Sequence, residues 1–326
     1  LIEAHKLLQN VKDEHWKTLK SKELKDLILA VSGLYLEASA DASFANPGGK
    51  INVNIEALNR SDAPVVLKDI KVSPTNSVLN PSLTLKNNEK HNLELEFEIP
   101  SNTDYTSPYW LKSKGTLGMY QVEDQKLIGK PETPRAFHSN FSLDFDGYKI
   151  PFEKPIVYRS ARPDKGELYE PFEILPEATA SFEDNVLIFA DGKPKAIPVT
   201  IKAQKDSIKG EVQLCFAKGW RVEKETLPFE IEKKGDQKTL IFKLWPPEEE
   251  NENYISPIIR VNGKTLTKEL ITIAYDHVPT QSVLRNAEAK VVRLNIQKAG
   301  ENIGYVMGAG DAVPESLEQI GYKVHI

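Results

Sequence analysis

The run Leu93-Glu94-Leu95-Glu96-Phe97-Glu98-Ile99-Pro100 alternates apolar and acidic residues without interruption. A period of two is the spacing of a strand with one face in a core and the other in water. A chain carrying such a strand must also supply neighbours for its backbone and an apolar layer for its inner face. Ile51, Val53, Ile55 and Ala57, interleaved with Asn52, Asn54, Glu56 and Leu58, repeat the pattern upstream. A second apolar run ending in proline, Leu240-Ile241-Phe242-Lys243-Leu244-Trp245-Pro246, lies far downstream. Each of the two proline-ended runs is followed by a Tyr-x-Ser-Pro string, Tyr105-Thr106-Ser107-Pro108 and Tyr254-Ile255-Ser256-Pro257. Beyond these, Asp146-Gly147 precedes Ile156-Val157-Tyr158 as Asn262-Gly263 precedes Ile273-Ala274-Tyr275, and Asx-Gly is the usual two-residue hairpin turn. The expectation is a mainly β chain with two tandem antiparallel β-sandwich, immunoglobulin-like domains, in which the repeated strings are equivalent landmarks.

A length of 326 residues suits two or three domains. Residues 1–38 read as a helical connector, with Leu24, Leu27, Ile28, Val31 and Leu34 at near-helical spacing after a cap at Ser21 and with Gly33 near the end. Residues 39–158 form the first sandwich, carrying an insertion at 109–140, and 159–280 the second. The last stretch, 281–326, follows another rule. Ala289 to Leu294 and Ile303 to Met307 read as strands, the latter buried, Pro314 to Ile320 as a helix with proline in its first turn, and Tyr322-Lys323-Val324 as a strand. That is a strand-helix-strand unit of parallel-sheet type, the truncated start of an α/β, flavodoxin-like domain, and the chain reads as a piece of something longer.

Charge narrows the partners. Forty-two Lys and Arg stand against 47 Asp and Glu, a net charge of -5 with no dense basic segment, so nucleic acid is not the expected partner. No apolar run is long enough for a membrane span. One cysteine, Cys215, excludes an intramolecular disulfide and a zinc-cysteine cluster, and the six histidines show no close ligand spacing. No metal site and no catalytic constellation is expected in this chain.

Three features are candidates for chemistry. The loop Gly308-Ala309-Gly310-Asp311 follows a strand and precedes a helix, where ligands of open α/β sheets bind, although it lacks the third glycine or the lysine of a phosphate loop; Asp311 is equally placed to cap the helix. Asp276-His277 could support a hydrolytic base, but adjacent residues on a strand point to opposite faces. Tyr109, Trp110 and Tyr120 gather aromatic rings in the insertion, able either to stack on a sugar or to fill an interface.

In their order along the chain, Gly33-Leu34-Tyr35-Leu36-Glu37-Ala38 with Pro47-Gly48, Leu58-Asn59-Arg60-Ser61, Ser107-Pro108-Tyr109-Trp110-Leu111 and Ile303-Gly304-Tyr305-Val306-Met307-Gly308-Ala309-Gly310-Asp311 resemble the region downstream of the catalytic domain in long Bacteroidetes-type PIG-L (LmbE-like) deacetylases. The resemblance implies a zinc-dependent catalytic domain elsewhere in a parent chain, acting on N-acetylated sugars through a His-Pro-Asp-Asp motif. It also implies partners that are the parent's own catalytic and other domains; the aromatic cluster makes carbohydrate a further candidate, and the sequence leaves the compartment undetermined, with an extracytoplasmic location expected. The nearest string here, Arg162-Pro163-Asp164-Lys165, lacks the histidine and the second acid, so no catalytic residue is carried over. The implied role is a non-catalytic accessory region that binds or holds domains together; the alternatives are a carbohydrate-binding module, or a hydrolase with its own site near Asp276-His277 or Asp311.

Overall fold

The computed structural model describes all 326 residues and shows a mainly β chain that divides into two compact units. The first comprises Leu1–Thr106, Lys130–Leu175 and Tyr275–Thr280. In it, Leu34–Ala40, Lys50–Asn59 and Lys90–Glu98 pair side by side antiparallel, and Val65–Ser73, His138–Phe145 and the first half of Tyr148–Arg162 form a second antiparallel half of the same nine-stranded sheet. Tyr148–Arg162 serves both. Up to Pro155 it pairs with His138–Phe145, and from Ile156 it runs parallel to Ala38–Ala40 and antiparallel to Gly166–Pro171. The sheet folds over at that strand, and inner-face residues of its two halves, among them Val53, Ile55, Leu67 and Phe141, share one buried cluster, the mark of a sandwich. The alternation that predicts this layer is realised: Leu95, Phe97 and Ile99 are buried, while Glu94, Glu96 and Glu98 are exposed. Burying such side chains stabilises by roughly 1.5–3 kcal/mol each, which is why register cannot slip by one residue.

Two helices, Ile2–Leu8 and Glu14–Val31, lead into this unit, and Ile28 and Leu29 join its core. The longer helix starts well before Ser21, because Asp13 accepts the Trp16 N–H at 3.1 Å and so caps it. It also stops earlier than the expected limit near residue 38. Gly33 adopts φ +61, and Leu34–Ala40 pairs with Lys50–Asn59 as a strand. Residues 34–38 therefore belong to the sandwich.

The second unit comprises Ser107–Gly129, Pro176–Ala274 and Gln281–Ile326. Ala178–Phe182, Lys195–Ala203, Gln237–Trp245 and Arg221–Val222 make one sheet; Val186–Phe189, Ala289–Arg293, Asn251–Val261, Ile208–Cys215 and Thr226–Ile231 make the other. Ile197, Val199 and Phe242 from the first meet Val212, Ile255 and Val291 from the second in one buried cluster. Trp220 is part of that core, edge-on to Phe189 at 5.0 Å, with its indole N–H donated to Asn251 Oδ1 at 2.9 Å.

Both units are β-sandwiches, and both Asx-Gly pairs are hairpin turns between consecutive strands. Asp146 and Gly147 have φ +50 and +88, and Asn262 and Gly263 +49 and +77, the double left-handed conformation that favours these residues. The Tyr-x-Ser-Pro strings are not equivalent. Tyr254–Pro257 lies inside the strand Asn251–Val261, whereas Tyr105–Pro108 lies in irregular chain before the short 3-10 turn Tyr109–Leu111, and the division between units falls at Thr106. A four-residue string is compatible with either setting, since no turn geometry ties it to one.

Two further placements differ from the sequence reading. Ala289–Arg293 runs parallel to Val186–Phe189 and antiparallel to Asn251–Ile255, inside the second sandwich. Its inward Ala289 and Val291 alternate with the half-buried Lys290 and Val292, the signature of a one-sided strand rather than of a parallel-sheet core. The remaining strand-helix-strand is present as Asn302–Gly304, Val313–Gln319 and Lys323–His325, with the two strands parallel. The strand expected to be buried over 303–307 is only three residues long, and Val306 is 94% exposed, because a two-stranded pair cannot cover both of its faces. Gln319 fastens this segment to its unit: it accepts the Ile188 N–H at 2.8 Å, donates to the Val186 carbonyl at 3.2 Å, and its own carbonyl accepts from Lys195 Nζ at 2.7 Å.

Candidate functional site

The segment Ser107–Gly129 builds a surface groove. Read from sequence as part of an insertion into the first sandwich, it groups instead with the second unit. Ser107 Oγ accepts the Leu284 N–H at 3.2 Å, Lys114 pairs with Glu288, and the same ammonium stands 5.4 Å from the Tyr254 ring centre. These anchors hold a chain with little regular structure of its own.

Within it, Pro108 opens the 3-10 turn Tyr109–Leu111, closed by Leu111 N–H to the Pro108 carbonyl at 2.8 Å. Tyr109 and Trp110 meet edge to face at 4.9 Å, which fixes the plane of the indole. A tight turn follows. Thr116 and Met119 exchange backbone hydrogen bonds at 3.0 and 3.3 Å around Gly118, whose φ is +84. A Cβ on Gly115 would stand 2.5 Å from the Met119 carbonyl oxygen, so only glycine lets the two arms approach. The result is a groove of about 410 Å³ with Trp110, Leu111 and Met119 as apolar walls, the Ser113 and Thr116 hydroxyls beside them, and Tyr120 at its edge, 69% exposed. No ionisable carboxylate, ammonium or guanidinium lines it. Apolar ring faces with neighbouring hydroxyls and no charge suit a neutral polyhydroxylated ligand. Thus Trp110 and Tyr120, ten positions apart, share one surface, and Tyr109 supports the first.

The glycine loop is a separate turn. Asp311 Oδ2 accepts from the Gly308 N–H and the Tyr305 hydroxyl, each at 3.0 Å, and a Cβ at Gly308 would meet that same oxygen at 2.7 Å. Gly310 has φ +73. The carboxylate thus closes its own loop, and Ala312, not Asp311, is the N-cap of the seven-residue helix that follows. The Tyr305 phenol is held above its ordinary pKa by burial and by this hydrogen bond. Asp276 and His277 do not form a dyad. Asp276 takes the Lys165 ammonium at 2.6 Å, which lowers its pKa, and the His277 ring lies beside Tyr275 at 5.8 Å. No group of three or more His, Cys, Asp or Glu side chains is arranged to hold a metal ion.

One cluster has no counterpart in the sequence reading. On the outer face of the first unit's sheet, Glu37 is buried at 7% exposure; its Oε2 accepts from the Tyr35 and Tyr169 hydroxyls, the latter at 3.0 Å, and its Oε1 pairs with Arg159 Nη1 at 3.0 Å. Arg159 also faces Glu56 at 3.6 Å, which pairs with Lys90 at 2.7 Å. Burial, then the hydrogen bond to Glu37, pushes the Tyr35 phenol far up. The cluster ties together five neighbouring strands and is internally compensated, the arrangement of a structural network. Its only local signal is the strand Leu34–Ala40, nearly all buried, in which Glu37 is the one charged residue.

No family model matches the chain, and no curated protein does. Solved structures overlap it only distantly. A Salmonella alpha-2-macroglobulin mutant gives a TM-score of 0.27 at 10% identity over 80% of this chain and 16% of that one. The Escherichia coli alpha-2-macroglobulin activated by porcine elastase gives 0.27 at 10% identity, over 80% of this chain and 22% of that one. A Porphyromonas gingivalis W83 protein of unknown function gives 0.19 at 11% identity, over 80% of this chain and 98% of that one. The chain spans less than a quarter of the length of the two macroglobulins, and overlaps this shallow carry nothing about what it does.

Proposed function

We propose that this chain is a non-catalytic accessory region that binds neutral carbohydrate through the Trp110–Tyr120 groove, within a parent of PIG-L (LmbE-like) deacetylase type. The observation that carries the binding reading is the uncharged groove itself, with Trp110, Leu111 and Met119 beside the Ser113 and Thr116 hydroxyls and Tyr120 exposed at the edge. Pyranose rings have an apolar face rimmed by hydroxyls, and ring stacking with lateral hydrogen bonds is the recognition such a surface offers. The groove stands on loop chain anchored to the second unit's sandwich, and binding residues placed on loops of such a scaffold are a common arrangement. The accessory role draws support from the ordered strings that resemble the PIG-L downstream region and from the engagement of both candidate acids elsewhere, Asp276 with Lys165 and Asp311 with Gly308 and Tyr305.

Titration of the chain with neutral N-acetylated and plain oligosaccharides by calorimetry tests the binding reading. Saturable binding lost in Trp110→Ala and weakened in Tyr120→Ala is expected; affinity indifferent to both substitutions overturns it. The parentage is tested by the coding sequence upstream of Leu1, where a His-Pro-Asp-Asp motif is expected and an unrelated open reading frame contradicts it.

A further inference from the structure

The helix Glu14–Val31 turns Thr18, Ser21, Lys22, Lys25 and Leu29 toward one side, since residues three and four apart share a helix face. Between that side and the strand residues Phe152 and Glu153 lies a second pocket, of about 440 Å³, entirely within the first unit. The buried Leu29 and Phe152 close its inner end, and its polar wall carries Gln9, Lys17, Ser21, Lys22 and Lys25.

Lys25 is the unusual member. Most ammonium groups on these two helices have a partner one turn away: Lys6 pairs with Glu3 at 3.4 Å, Lys17 with Glu14 at 2.7 Å and Lys20 with Glu23 at 2.8 Å. Lys25 is half-buried, and no carboxylate comes within ion-pair distance of it. Glu153 acts on it only through longer-range attraction, and burial outweighs that attraction, holding the ammonium below its usual pKa. A partly desolvated cation without a counter-ion is unfavourable unless something supplies the missing charge. Lys22, one turn back on the same helix and exposed, adds a further cation to the same pocket, which Lys17, already paired with Glu14, also lines.

We infer that this pocket is a binding site for a small oxyanion, a phosphate or carboxylate head group paired with Lys25 and Lys22 and reached by the Ser21 hydroxyl. Asp26 and Glu153 also line the pocket, and their charge disfavours a long polyanion, which keeps the class to small molecules. The site is independent of the aromatic groove in residues, charge and ligand class.

The experiment titrates the full chain with inorganic phosphate and, separately, with acetate, against sodium chloride at matched ionic strength. Thermal denaturation and calorimetry are the readouts. Saturable stabilisation by at least one oxyanion beyond the chloride control is expected, and which of the two stabilises more assigns the head group. Lys25→Met keeps the aliphatic stem and should weaken the binding by about tenfold or more, as loss of a charge-assisted partner does. Trp110→Ala should leave it unchanged. Because Lys25→Met could perturb helix packing, the Lys25 side chain of the unaltered protein provides a second readout: ¹³Cε NMR should show its pKa rising when the oxyanion binds. Absence of saturable binding by both anions, equal binding by Lys25→Met, or a Lys25 pKa indifferent to the anion would each overturn the assignment.

Discussion

Removing the Glu37 carboxylate should be one of the most costly single changes in the first unit. Glu37 is 7% exposed, accepts two phenol hydrogen bonds and pairs with Arg159 at 3.0 Å. Breaking a buried ion pair by deleting one partner costs about 3–5 kcal/mol, because the other charge is left unpaired. Here the cost is smaller, since the Arg159 side chain is 30% exposed and still faces Glu56 at 3.6 Å, so it rehydrates in part. Glu37→Ala should therefore destabilise by about 3 kcal/mol, and Glu37→Gln, which retains an acceptor for the Tyr169 hydroxyl, by about 2 kcal/mol. Urea denaturation followed at the first unit's transition measures both, with midpoint shifts on the order of 1–2 M. A double-mutant cycle with Arg159→Met should give a coupling of about 1–2 kcal/mol. Losses under about 0.5 kcal/mol, the range of ordinary surface substitutions, or coupling near zero, would mean that the carboxylate sits in water and the network is not holding the strands.

Phe97→Ala should cost about 3–5 kcal/mol, while Glu96→Ala one position away stays within about 0.5 kcal/mol, a contrast that denaturant unfolding resolves and that would vanish if the strand register were shifted by one. Acid should loosen the N-terminal helix: burial first, then the nearby Lys25 charge, lowers the His5 pKa from its ordinary 6.5, so the stability it confers is complete above that value and is lost as pH falls through the folded-state pKa. The protection of the Ile2–Leu8 amides, measured against their intrinsic exchange rates at each pH, should fall as pH drops below the ordinary histidine value and lose that step in His5→Phe. Gly115→Ala should abolish ligand binding in the Trp110 groove while moving the melting temperature little, because the added Cβ collides with the Met119 carbonyl inside an anchored loop and not with a core; unchanged affinity would contradict the geometry given for the groove.

Much of the scaffold was readable from the chain because its determinants are local. Alternation placed Leu95, Phe97 and Ile99 inside and the three intervening glutamates outside, and Asx-Gly marked both hairpin turns. The repeated Tyr-x-Ser-Pro misled, since Tyr254–Pro257 is held by strand pairing and Tyr105–Pro108 by irregular chain. The assignment of Ser107–Gly129 was not legible, for its anchors are the backbone of Leu284 and the side chain of Glu288, separated by 177 and 174 residues from Ser107 and Lys114. Trp110 and Tyr120 could be named as aromatics, but that they share a groove depends on the Gly115 and Gly118 backbone between them. Glu37 was hidden for a related reason: its partners Arg159 and Tyr169 lie on strands far along the chain, and nothing near Tyr35-Leu36-Glu37 announces that the carboxylate is covered.

The central claim is that the uncharged Trp110 groove binds neutral carbohydrate, and calorimetric titration of the whole chain with a neutral N-acetylated oligosaccharide, beside Trp110→Ala, tests it most directly. A stacked indole contributes about 1.5–2 kcal/mol in such a site, so saturable binding by the unaltered chain with at least about a tenfold loss in the variant is predicted. No saturable binding by the unaltered chain, or equal binding by both proteins, contradicts it.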